Sequence, residues 1–390
     1  MSRPILFFVI LITLVSCEKK ENKQSEKFDT DAQVSFEKLD SIQINYLGRP
    51  TVHDLDPLSQ KIIFMEHSLS DSGHEIFVAD FDGNILSSFI KDGDTRDTYG
   101  HIMAPLAIDG KNSFMAYSFN GFMHYDFDGN LISRVKIVDF ISPSSSRIGM
   151  GYGMEKWKDK YFYVNSGSKN ADYGDLDFFE KYHTMFLLDP TTGIRESIIP
   201  FPENSLFKKG NFFFSNAWEP VFHMSDNMLY IVFGLEPVIY IYENQAPFNL
   251  ISSIPIELPY YRYFKGSEKY NNEDVRFFGH RVTSGKISNI KYVDNYFVLS
   301  YFPGFDAADT EMSISTNTGP DFWTEMQKKY PARIAILDSQ GKVLNDFVPD
   351  DLHETTMIFR NGELWMMAKP DGEVELDYFQ IFKVGLKVKN

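Results

Sequence analysis

One pattern constrains the fold of this 390-residue chain more than any other: a short apolar run, an Asp–x–x–Gly turn and an alternating run, repeated. It occurs as "DFDGNIL" from Asp80, "DFDGNLI" from Asp126 and "DSQGKVLNDF" from Asp338, and with one extra residue before the glycine as "DPTTGIRESI" from Asp189. A looser copy, "ENQAPFNLISSI", begins at Glu243. Upstream of each copy lies a second hairpin-shaped stretch, such as "KWKDKYFYVNS" (156–166), "HMSDNMLYIVF" (223–233) or "KYVDNYFVLSY" (291–301). Asp-Asn, Asp-Gly and Asn-Gly tolerate positive φ, which two-residue hairpin loops require. Each unit therefore reads as four antiparallel strands, A to D, with tight A–B and C–D turns.

The Asp-rich loops are read as turns and not as calcium sites. An EF-hand loop needs Gly at its sixth position and Glu at its twelfth. Here Gly83 and Gly129 stand fourth, and the twelfth positions are Lys91 and Ile137.

Six units fit the chain, at about 46–92, 101–142, 150–202, 216–258, 279–348 and 353–388. The last lacks a fourth strand, and "FEKLDSIQINYLG" (36–48) has the shape of one. An N-terminal strand that completes the C-terminal unit would close a ring without open edges. The expected fold is an all-β, six-bladed β-propeller over residues 35–390, with seven blades as the alternative count. The aromatic content of 16% agrees with a strand-rich chain.

The N-terminus carries a different signal. "MSRPILFFVILITLVSC" has one basic residue and an apolar run too short to span a membrane, ending in "LVSC". This resembles a bacterial lipoprotein signal: residues 1–16 would be cleaved and Cys17, the single cysteine, would take the lipid. Residues 17–34 are charged and aperiodic, which suits a flexible tether. A folded part without cysteine has neither disulfides nor thiolate metal sites.

The blade pattern and this signal together resemble the TolB-like six-bladed β-propeller lipoproteins of Bacteroidota, and within them a functionally uncharacterised family. The resemblance implies a membrane-anchored envelope lipoprotein, with the outer membrane preferred. It transfers no catalytic residue. A net charge of −16 disfavours nucleic acid as a partner, and a monomer is expected.

Enzyme motifs fail on inspection. "HETTM" (353–357) has Met357 where a zinc-protease helix needs His, and "GMGYGM" (149–154) has Met154 in place of a third glycine. Propeller geometry is a better guide, because the starts of the A strands converge on the channel mouth. Those starts offer His53, Glu155, Trp218, Glu219, His280, Arg281, His353 and Glu354. They read either as a structural salt-bridge ring or as a ligand site. No cofactor is expected, although Glu155, Glu219 and Glu354 could offer oxygen ligands to calcium.

Long insertions at 166–184, 260–279 and 303–332 fall on the same face as the B–C and D–A loops. They carry Phe178, Phe179, Tyr260, Tyr261, Tyr263 and Trp323, aromatic residues suited to protein or glycan contacts. "PDFWTEMQKKY" is expected to form a helix capped by Asp321. The leading expectation is a noncatalytic envelope protein that binds a protein or glycan through this face. The alternative is a calcium-dependent hydrolase or lactonase at the channel mouth.

Overall fold

The computed structural model describes residues 34–390 apart from 49, 68–73, 94, 139–148, 153, 166–173, 176, 272–274, 316–318, 371–375 and 390. Cys17, the signal segment and most of the tether lie outside the described residues, as does the first half of the 166–184 insertion.

Six antiparallel four-stranded sheets form the blades of a six-bladed β-propeller. The inner strands are Thr51–Asp56, Ala107–Ile108, Glu155–Trp157, Pro220–Met224, Lys286–Val293 and Ile358–Arg360. The N-terminal strand Val34–Ile44 pairs with Phe379–Val388, from Val34 opposite Val388 to Ile44 opposite Phe379. It is the outer strand of blade 6, so the first and last parts of the described chain share one sheet.

Turn chemistry sets the blades. Asp294, Asn295, Asn361 and Gly362 all have positive φ, the geometry that two-residue A–B hairpins demand. At the C–D turns the aspartates are occupied by their own loops. Asp80 accepts from the Asn84 backbone N–H at 2.8 Å and from its side-chain amide at 3.1 Å. Asp126 does the same with Asn130, at 2.7 and 2.9 Å. Here "DFDGN" is the same hairpin turn built twice.

Each blade is covered on both faces by its neighbours, so its middle strands are apolar almost throughout. Met228–Phe233 and Ser113–Ser118 are buried at every position after the first. Outer strands such as Ile85–Ile90 alternate instead between exposed and half-buried residues. Clusters of buried apolar side chains occupy each of the six junctions between blades. At the closure, Ile42 and Ile44 from the N-terminal strand join Val52 and Leu55 of blade 1 and Trp365 of blade 6. A further cluster of Phe305, Met326 and Tyr330 lies among the connections of blade 5.

The described helices sit in the long connections: α1 (Phe178–Lys181), α2 (Val275–Thr283), α3 (Ala307–Ser315) and α4 (Pro320–Lys329). Helices α1, α3 and α4 join B to C strands, and α2 joins a D to an A strand. All four therefore lie on one face, called the loop face below. Helix α4 corrects one expectation, because its N-cap is Gly319 and not Asp321. Pro320 takes the first helical position, where its missing N–H costs nothing, and moves Asp321 into the first turn. Among the described residues no helix is long and apolar enough to cross a membrane.

Candidate functional site

The inner strands bring five charged or titratable side chains to the axis. Arg360 of blade 6 holds Glu155 of blade 3 through Nη1, at 2.7 and 2.9 Å to the two carboxylate oxygens. Its Nε donates to Asp54 of blade 1 at 3.2 Å. The other Asp54 oxygen accepts the backbone N–H of Ile108 in blade 2 at 2.8 Å. Lys291 of blade 5 donates to Asn289 Oδ1 at 2.7 Å. The Asn289 amide in turn donates to the carbonyls of Thr355 and Met357, which precede the inner strand of blade 6, at 2.9 and 3.0 Å. His223 of blade 4 packs edge-on against Phe359 at 5.3 Å. All six blades thus contribute a group near the axis.

Burial governs the electrostatics. It pushes Asp54 up to about 6, although Arg360 opposes the shift. It pulls Lys291 down to about 7 against the pull of Glu155. It also pulls His223 down to about 3, with Lys291 and Arg360 adding to the effect. Burial works against the Arg360 charge as well, but Asp54 and Glu155 outweigh it and raise its pKa. Asp54 keeps only 3% of its area exposed and Lys291 only 4%. Arg360 and Glu155 keep 22% and 30% of their side chains exposed. The network therefore has a dry part around Lys291 and His223 and a wetter part at the Arg360–Glu155 pair.

The chain itself crosses the axis on the loop face. Met150 is buried in the cluster between blades 6 and 1. Four residues on, Met154 is buried between blades 2 and 3. Gly151 lies between them with φ +83°, so close that a Cβ would stand 2.1 Å from the Met357 carbonyl and 2.6 Å from the Asn289 amide. Blades 6 and 3 are opposite each other in a ring of six, so Met150, Gly151 and Met154 lie on a path over the channel. Only glycine fits where it meets Asn289.

The residues expected at the channel mouth are distributed differently. Glu155 belongs to the axial network. His53 is buried and its Nδ1 accepts the Leu106 N–H at 3.0 Å. Trp218 is fully buried against Phe178, Phe179 and Tyr182. Glu219 is buried, with Lys286 Nζ at 3.4 Å. His353 lies 3.2 Å from Thr355 Oγ1, beside half-buried Glu354, in the turn before the inner strand of blade 6. His280 and Arg281 are not at a strand start at all. They lie in the last turn of α2, and the inner strand of blade 5 begins only at Lys286. Among the described residues no three of His, Cys, Asp and Glu gather where they could hold a metal ion, so Glu155, Glu219 and Glu354 do not form one centre.

Asp54, His223, Asn289, Lys291 and Arg360 are the axial residues that sequence reasoning missed. A positional signal existed. Asp54, Glu155 and Lys291 each stand two residues before the end of their inner strands, at Asp56, Trp157 and Val293.

The loop-face aromatics divide by depth. Phe179 is buried, and half-buried Phe178 packs on it with ring centroids 5.0 Å apart. Tyr261 donates to the Leu235 carbonyl at 2.9 Å, and Trp323 of α4 packs against Phe305 and Phe322. Tyr260 is 43% exposed and Tyr263 is half-buried. Next to them, Phe264 stacks on His280 with centroids 4.3 Å apart and planes 18° apart. Arg262, Lys265 and Arg281 in this region are exposed. Among the described residues none of the three has a carboxylate within ion-pair distance.

Fold and axis define the class: a six-bladed β-propeller with a polar network at its centre. Among solved structures it is similar to a member of the DUF4221 family from Bacteroides vulgatus, with a TM-score of 0.65 and 10% identity over 92% of this chain and 99% of that one. A candidate exported protein from Bacteroides fragilis is covered to 98%, and covers 93% of this chain, at 10% identity and a TM-score of 0.48. A gluconolactonase from Xanthomonas campestris is covered to 99%, and covers 90% of this chain, at 9% identity and a TM-score of 0.39. The first likeness carries the fold alone, and the other two are too distant to carry an argument. No protein-family model matches the chain, and no curated protein matches it in sequence.

Proposed function

We propose that this chain is a noncatalytic binding protein of the bacterial cell envelope that engages a protein or glycan through its loop face. The observation that supports this most is the division of labour between axis and loop face. The axis pairs its charges internally and is crossed by its own chain, whereas the loop face carries the long connections, exposed aromatics and cations without carboxylate partners among the described residues. Loops on a rigid scaffold are where binding residues collect. The "LVSC" signal supports anchoring at Cys17 as a TolB-like envelope lipoprotein, with the outer membrane preferred.

In-cell photo-crosslinking tests the reading. A photoreactive residue at Tyr260 should capture an envelope component, and one at Asp82 on the opposite C–D turn should not. Capture at Asp82 alone would move the binding face. A calcium-dependent rise in Tm that is lost in Glu155→Gln would instead favour a metal-dependent hydrolase, since a ligand of the native state must stabilise it. The expected result is no rise.

A further inference from the structure

We propose that the loop face binds an acidic glycan, a saccharide chain carrying spaced carboxylates, at the patch formed by Tyr260, Arg262, Tyr263, Lys265 and Arg281. This deepens the loop-face reading and rests on it.

Residues 260–285 hold five Lys or Arg and three Asp or Glu, an excess of two positive charges on a chain of net −16. Three other cations of the same face are neutralised: Lys286 by Glu219, Lys329 by Asp309 and Arg333 by Asp346. Among the described residues the Arg262 guanidinium donates only to the Tyr260 carbonyl, at 3.3 Å. The Lys265 ammonium stands 5.8 Å from the Tyr263 ring. Arginine presents a planar fork that matches a carboxylate, and these two arginines have that fork available.

Aromatic surface lies beside these cations. Tyr260 is 43% exposed, with the Arg333 guanidinium 5.7 Å from its ring centre, and Tyr263, Phe264 and His280 are half-buried. The C–H face of a pyranose packs on such rings while its hydroxyls and carboxylates reach polar neighbours. Tyrosine serves both needs with one side chain.

The Arg262 N–H donates to the Pro303 carbonyl at 2.8 Å, and the Arg262 carbonyl accepts from Gly285 N–H at 2.6 Å. The Phe264 N–H donates to Ser284 Oγ at 2.8 Å. Gly285 and Gly304 make this possible, because a Cβ on either would meet the Arg262 carbonyl, at 2.8 and 2.2 Å. The patch is held in place before any ligand arrives, which lowers the cost of binding.

The density of charge separates ligand classes. Nucleic acid duplexes carry a phosphate charge about every 1.7 Å. A uronate chain spaces its carboxylates one sugar apart and offers a stacking face between them. An acidic peptide offers the carboxylates without that face.

Calorimetric titration of the full chain in detergent tests the proposal, with oligogalacturonate as probe and neutral galactan oligomers and polyglutamate as comparisons. Oligogalacturonate should bind, galactan and polyglutamate at least tenfold more weakly. Binding should weaken as salt rises and fall at least tenfold in the double variant Arg262→Gln/Arg281→Gln with Tm unchanged. Tyr260→Ala should weaken binding at any salt concentration. Equal binding of oligogalacturonate by the double variant would overturn the proposal. Equal or tighter binding of polyglutamate would also overturn it, and would leave the loop-face reading intact with an acidic protein as partner. Binding of none of the probes overturns the glycan assignment, whereas the loop-face reading stands or falls on the crosslinks at Tyr260 and Asp82.

Discussion

On the axis Arg360 meets two carboxylates, Asp54 and Glu155, and Lys291 is buried beside Asn289. On the loop face Arg262, Lys265 and Arg281 are exposed and meet none among the described residues. Burial makes the difference instructive. A buried charge must be paired or it shifts towards its neutral form, so the axial residues are committed to one another. An exposed cation is solvated at little cost and remains available to an incoming ligand. Both regions are polar, but only one has capacity left over.

The sharpest way to break this contrast is to remove the central cation. Arg360→Met leaves Asp54 buried without its ion pair and frees Glu155, and should cost about 3–5 kcal/mol in urea unfolding. A loss under about 1 kcal/mol would mean that the axis is not held by its charges.

Titration of Lys291 sharpens the contrast next. Its folded pKa of about 7 lies below that of an unfolded lysine, so its contribution to stability is present above pH 10 and is lost as pH falls towards 7. Lys291→Met removes that dependence. Its stability relative to the native chain should be most favourable at pH 7 and decline by about 1.4 kcal/mol per pH unit towards pH 10. Paired urea melts at the two pH values measure this, and a constant difference would contradict the buried-ammonium account. Asp54 acts at lower pH: its folded pKa of about 6 lies above the usual value, so its contribution is full below pH 4 and lost as pH rises to 6.

Gly151→Val should cost about 2–3 kcal/mol, because it adds strain at positive φ and a side chain against the Met357 carbonyl. Gly362 also has positive φ, at +80°, but with open space around it, so Gly362→Ala should cost about 1 kcal/mol. Equal Tm losses in the two would remove the argument that the 149–154 segment is fitted to the axis. Smallest of all, Arg262→Gln/Arg281→Gln should change stability by no more than about 0.5 kcal/mol.

The propeller was legible because hairpin chemistry is local. "DFDGN", Asp294–Asn295 and Asn361–Gly362 declare turns in a few residues, and the alternating strand after residue 35 declares the closure. The axial network is not local. Asp54, Lys291 and Arg360 each look like a solvent-facing residue within a strand, and only ring closure brings them together. The "FFGHRV" stretch misled for a related reason. Its apolar and polar residues suit a strand start, yet it forms the end of α2, and Ser284–Gly285 separates it from the inner strand. "GMGYGM" gave no sign that it crosses the axis, since its fit depends on Asn289 and Met357 from distant blades.

The most direct test of the account is to titrate oligogalacturonate into Arg360→Met and into Arg262→Gln/Arg281→Gln, each at a temperature where circular dichroism shows it folded. The axial variant should bind within about threefold of the native chain, and the loop-face variant should lose at least tenfold. Loss in the axial variant with full binding by the loop-face variant would contradict the account and move the ligand to the axis.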